Sequence, residues 1–167
     1  MHLAFVAGAL ALVLIAACQD LLTRTISDYV SIALLVGGAA QRACEGFAAL
    51  GYSLLAAGAL GIVLVVIFSR GMLGGGDVKL MGALAVGLPP ASVWDLVVAT
   101  ALAGGAIACC YLAVRRLLPR IILKPRRPLL CRFIAIEAWR IRTGRSMPYA
   151  VAIAAGGLAV LIPGFGV

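Results

Sequence analysis

The sequence predicts an all-α fold: a polytopic membrane protein, a bundle of about six transmembrane helices with one basic cytoplasmic loop. Three observations lead there. Of its residues, 64% are hydrophobic and 12% charged, about half the charged share of a soluble globular domain. The apolar residues fall in runs near membrane-crossing length, separated by short polar or Gly/Pro-rich breaks. Ten of the fourteen basic residues lie between positions 115 and 145, an asymmetry typical of cytoplasmic loops. At roughly 20 apolar residues per crossing, the chain accommodates six short spans and one longer connection. No length remains for a separate soluble domain, so a single membrane-embedded domain over 1–167 is expected.

The elements follow in order. Residues 3–19 form an apolar run that closes on Cys18, Gln19 and Asp20. Ile15-Ala16-Ala17-Cys18 has the look of a lipoprotein processing box, but no Lys or Arg precedes the run, only His2. A secretory signal wants a positive start, so the preferred reading is an uncleaved first helix ending near Asp20. Residues 20–28 read as a short polar connector, 29–40 as a modest second span, and 41–45 as a second polar break. Residues 47–68, without a charge, are the clearest span. A glycine-rich turn over 69–76 delivers Asp77 into a fourth, short helix over 77–88, stopped by Pro89-Pro90. The fifth span, 93–114, begins with Trp94 in the place of an interfacial anchor. The sixth, 147–163, is entered by Pro148 and ended by Pro163-Gly164.

Small residues at four-residue spacing supply faces for close helix packing: Ala57 with Gly61, Ala101 with Gly105, Ala152 with Gly156. The five cysteines are odd in number and include no C-x-x-C pair, which argues against a zinc site or a disulfide framework. They read as small packing residues. No metal or other cofactor is expected.

The basic segment carries Glu137 as its single acid. A nucleic-acid patch is one reading of such a run, but its flanks are membrane helices, and the positive-inside rule accounts for it more simply. No nucleic-acid partner is therefore expected. Within it Leu129, Leu130, Phe133, Ile136 and Trp139 recur at helical spacing. That pattern predicts an amphipathic helix lying on the anionic lipids of the inner leaflet.

With that loop in the cytoplasm, alternation of six spans fixes the other connections. Asp20 and Asp77 fall at the cytoplasmic boundary, with Arg24, Asp28, Arg70 and Lys79 on the same side. Glu45, Asp95 and both termini fall outside. A carboxylate inside a bilayer costs roughly 2.5–3.5 kcal/mol even on the lenient scale, so Asp77 demands a partner, a wet cavity or a function. It reads either as the N-cap of its helix or as half of a dyad with Asp20. Two carboxylates in a partly dry site tend to share a proton, and such a pair is equipped to hydrolyse an amide. Gly74, Gly75 and Gly76 would let an extended peptide approach the backbone. Lys79, two residues on and off the Asp77 face, is expected to meet a lipid phosphate or a substrate carboxylate.

Gly74-Gly75-Gly76-Asp77-Val78-Lys79 resembles the G-x-G-D-x-K signature of the prepilin peptidases, polytopic aspartic proteases of bacteria. Asp20-Leu21 with Arg24 and Ile26 is similar to their first-aspartate motif, and Met147-Pro148-Tyr149-Ala150 to their terminal P-[YF] segment. The resemblance implies cleavage of prepilin or pseudopilin leaders on the cytoplasmic side, after a glycine, with Asp20 and Asp77 as catalysts. Ser27-Asp28 stands where the family usually has Pro-Asn. The chain also lacks the cysteine-rich insert of the larger members. It therefore looks like the short, peptidase-only form of Flp-type (tight-adherence) pilus systems, for which no N-methylation is expected. The rival readings are a non-enzymatic component of a pilus or secretion assembly and a small ion-coupled transporter using Asp77.

Overall fold

The computed structural model describes residues 2–117 and 148–162. Among them the secondary structure is all helical, in six helices: α1 His2–Thr23, α2 Asp28–Glu45, α3 Phe47–Ser69, α4 Gly75–Val86, α5 Pro90–Leu117 and α6 Tyr149–Leu161. The amphipathic helix expected over 129–139 lies outside the described residues, as does the Pro163-Gly164 stop. Two compact units divide the chain: Met1–Gly104 with Pro148–Val167, and Gly105–Met147. Of the second, the described part is the end of α5, with Cys109 and Cys110 exposed and Arg115 and Arg116 in the closing turn.

Three helical stretches are long and apolar enough to cross a membrane, Leu3–Thr23, Phe47–Ser69 and Pro90–Arg116, and Tyr149–Leu161 is a shorter apolar one. Their outward faces suit lipid: Leu55, Ile62 and Leu102 are each at least 70% exposed. Soluble monomers rarely expose large apolar patches. The helix α4, 12 residues long, reaches only about 18 Å at 1.5 Å per residue. It is instead the buried centre of the first unit, packed against α2, α3 and α6. Leu80, Met81 and Ala83 to Val86 are all buried, the all-round apolarity of an enclosed helix. On the other side α1 lies along α6, with Val13, Ala16, Ala150 and Ile153 in the common core.

Several boundaries depart from the sequence reading, each for a local reason. The connector after the first helix is shorter than 20–28, because α1 continues to Thr23 and carries Asp20 in its last turn. Residues 41–45 are not a break. The second helix runs through them to Glu45, and the turn is made by Gly46 alone, at φ 133°. Their polarity is absorbed by a network: Gln41 donates to Glu45, Arg42 pairs with Glu45 and also donates to Ser53, and Ser53 donates to the Leu88 carbonyl at 2.8 Å. The fourth helix begins at Gly75 and the fifth at Pro90, since proline fits the first position of a helix.

Close packing also falls differently along the chain. A side chain at Gly156 would meet Thr100 Oγ1 at 2.3 Å, and one at Gly38 would meet the Gly87 backbone at 2.7 Å. Gly61 and Gly105, in contrast, face open space among the described residues. Of the three small-residue spacings, the one ending at Gly156 marks a tight helix contact.

Candidate functional site

Asp77 is the third residue of α4, not its cap. Gly74 holds the N-cap position in an extended conformation, and its N–H donates to the Asp77 carboxylate. The carboxylate thus reaches back one turn, as the acidic residue of a capping box does. The Gly74 position has to be bare for this: a Cβ there would lie 2.8 Å from Asp77 Oδ2. Of the other two glycines, Gly76 is likewise a place of close approach and Gly75 has room for an ordinary contact. A Cβ on Gly75 would meet the Phe68 ring at 3.5 Å, and one on Gly76 would meet Ile26 at 3.3 Å. None of the three has positive φ, so at Gly74 and Gly76 small size, and not backbone freedom, is what the fold uses.

Asp20 is brought opposite by the end of α1. The chain leaves that helix through Arg24, a non-glycine residue at φ 58°, whose N–H still bonds the Asp20 carbonyl at 3.0 Å. A left-handed conformation costs a residue with a side chain roughly 1–2 kcal/mol. The connector is tied back onto α1 to hold it. The Thr23 and Thr25 hydroxyls share a hydrogen bond at 2.9 Å, and Ser27 N–H donates to the Gln19 side chain at 3.2 Å. This fold of the connector sets Ile26 against Gly76 and turns Arg24 inward.

The result is one open cavity of about 300 Å3, lined by Asp20, Arg24, Thr25, Ile26, Asp28, Gly74, Gly75, Gly76, Asp77 and Lys79. Every site residue read from the sequence is among them. Asp20 and Asp77 are near enough for their charges to repel each other directly. Asp20 is 8% exposed, and Asp77 is half-buried. The volume is at the lower end of the range of small-molecule sites, enough for one peptide unit and a water. Among the described residues no three His, Cys, Asp or Glu side chains gather as a metal site would need.

Two contacts were not legible from the sequence. The first is an ion pair: the Lys79 ammonium meets Asp28 at 2.8 Å. Asp28, placed by the sequence on the same side as the two aspartates but given no role there, is thereby a wall of the cavity. The second contact crosses the whole chain, since Ala150 N–H, in the first turn of α6, donates to Asp20 Oδ2 at 3.3 Å. Tyr149, one residue earlier, lies within electrostatic reach of Asp77 and packs on Gly104. Pro148 signalled a helix start, but nothing local could tell which acid would face it.

No curated protein and no solved structure matches the chain. Residues 7–109, more than half of the sequence, match the type IV leader peptidase family, and the chain therefore belongs to that family.

Proposed function

We propose that this protein is an aspartic endopeptidase that removes the leader of Flp-like type IV prepilins or pseudopilins. It works at the cytoplasmic boundary of the bacterial inner membrane, with Asp20 and Asp77 as the catalytic pair. The observation that carries this reading is the convergence of two aspartates, far apart in sequence and borne on the ends of two helices, on a single cavity. Membership of the leader peptidase family supplies the reaction class.

In the reaction, one carboxylate takes a proton from a water as that water attacks the scissile carbonyl. The other, protonated, donates a hydrogen bond to the carbonyl oxygen and then protonates the leaving nitrogen. The C–N bond breaks, the proton taken from water resides on the first carboxyl, and exchange with solvent resets the pair. Since the two groups are coupled, their titration belongs to the pair.

An ion-coupled transporter is the weaker reading because its ionisable groups belong at mid-membrane depth. Here Asp20, Asp28 and Asp77 all occupy helix ends. A scaffold role offers no reason for two mutually repelling carboxylates to line one cavity. Co-expression with a candidate Flp-type prepilin tests the proposal. Leader removal should appear as a shift in gel mobility, with a mature N-terminus that mass spectrometry finds unmethylated. A pilin that keeps its leader in the presence of inserted wild-type protein contradicts the peptidase reading.

A further inference from the structure

The first turn of α6 has no cap of its own. Pro148, at the N-cap position, makes no side-chain cap bond, and its carbonyl accepts from Val151 N–H at 3.3 Å. The first N–H groups of a helix have no partner within it. The Ala150 N–H finds one in the Asp20 carboxylate. Both residues are buried, Ala150 at 0% and Asp20 at 8% exposure. Asp20 in turn sits in the last turn of α1, where the carbonyl end of the helix disfavours an anion. The positive end of a second helix is the natural complement, because its N–H groups and dipole both favour negative charge. The small faces of the two helices make the approach close enough, with Ala16 and Ala17 buried on one and Ala150 and Gly157 on the other.

We propose that the backbone N–H of Ala150 is a positioning group for Asp20. It fixes the direction of the carboxylate toward Asp77 and the cavity, so that the Pro148-Tyr149-Ala150 turn acts on the reaction through Asp20 without touching substrate. The inference rests on the peptidase reading above. A carboxylate on one methylene has two free torsions, and catalysis by a pair requires both members in a single geometry. On the side of α6, the hydrogen bond from Ala150 supplies that constraint. An N–H donor also has no side chain to mutate, which is why the sequence carries no sign of it beyond a proline that starts a helix.

The test removes the donor and leaves the side chain. Nonsense suppression with lactic acid at position 150 exchanges the N–H for an ester oxygen. Ala150→Pro removes the same donor by a second route, since proline is tolerated in the first turn of a helix, and Ala150→Gly keeps it. Each full-length variant is reconstituted in liposomes with a candidate Flp-type prepilin, and kcat, KM and thermal stability are measured separately. The ester variant should lose roughly 10- to 100-fold in kcat with KM within about twofold, the scale of one hydrogen bond to a charged group. Ala150→Gly should stay near wild type. If Ala150→Pro fails to insert, the ester variant decides alone. A wild-type kcat in the ester variant, with or without reduced thermal stability, overturns the inference and leaves the bond a helix cap only. A wild-type protein that cleaves nothing removes the peptidase reading itself, and shows before any substitution is made.

Discussion

At the scale of the residue, the most informative position is Gly74. Its hydrogen atom occupies space that a methyl group would contest with Asp77 Oδ2 at 2.8 Å. Gly74→Ala is expected to lower the cleavage rate by at least about tenfold, because displacing a reacting group by an ångström is costly to catalysis. Thermal stability should fall by no more than about 1 kcal/mol, the usual scale for a cap substitution. Initial rates and melting in detergent separate the two effects. Arg24 offers the converse case. Its left-handed backbone at φ 58° suits glycine, so Arg24→Gly is expected to stabilise the fold by about 0.5–1 kcal/mol. The same change removes one of the two cations, Arg24 and Lys79, that line the cavity and should reduce cleavage. A residue that is better for stability when replaced, and worse for activity, marks strain kept for function.

At the scale of the element, the helices meet where small residues let backbones touch. Gly156→Ala would drive a methyl group into Thr100 Oγ1 at 2.3 Å and Thr100 N at 2.9 Å. It should cost about 1–3 kcal/mol as overpacking, whereas Gly61→Ala, facing open space, should be neutral or slightly stabilising. Thermal denaturation of the two variants side by side checks this. The Asp28–Lys79 pair joins α2 to α4 at the surface, with side chains 64% and 58% exposed. Such a pair is worth at most about 1 kcal/mol, so Asp28→Asn should insert, fold and cleave nearly as wild type does. Helix existence and type were legible in the sequence because apolar runs, prolines and glycines are local signals. The polar stretch 41–45 was misread because its polarity is satisfied by Ser53 on the next helix, which no local pattern displays. Likewise, the four-residue spacing at Gly61 is the same as at Gly156, and only the packing of the folded chain tells them apart.

At the scale of the whole molecule, the chain is a multi-pass membrane protein of the leader peptidase family. The charge asymmetry of the sequence predicts its orientation: a reporter fused after Arg127 should read cytoplasm, and one fused after Val167 should read exterior. An inverted pattern would remove the topological argument for an active site at the cytoplasmic face. The grouping of the candidate site was largely legible, since Asp20, Arg24, Gly74, Gly75, Gly76, Asp77 and Lys79 all line one cavity. What the sequence could not display were its backbone donors and its cross-chain partners. Gly74 N–H and Ala150 N–H hold the carboxylates, and Asp28 pairs with Lys79. The central claim is that Asp20 and Asp77 act as one catalytic pair. Its most direct measurement follows leader removal from a co-expressed Flp-type prepilin by Asp20→Asn and Asp77→Asn, with membrane insertion verified for each. The account predicts that each single substitution, nearly isosteric and charge-removing, abolishes cleavage. Full processing by either variant would contradict it.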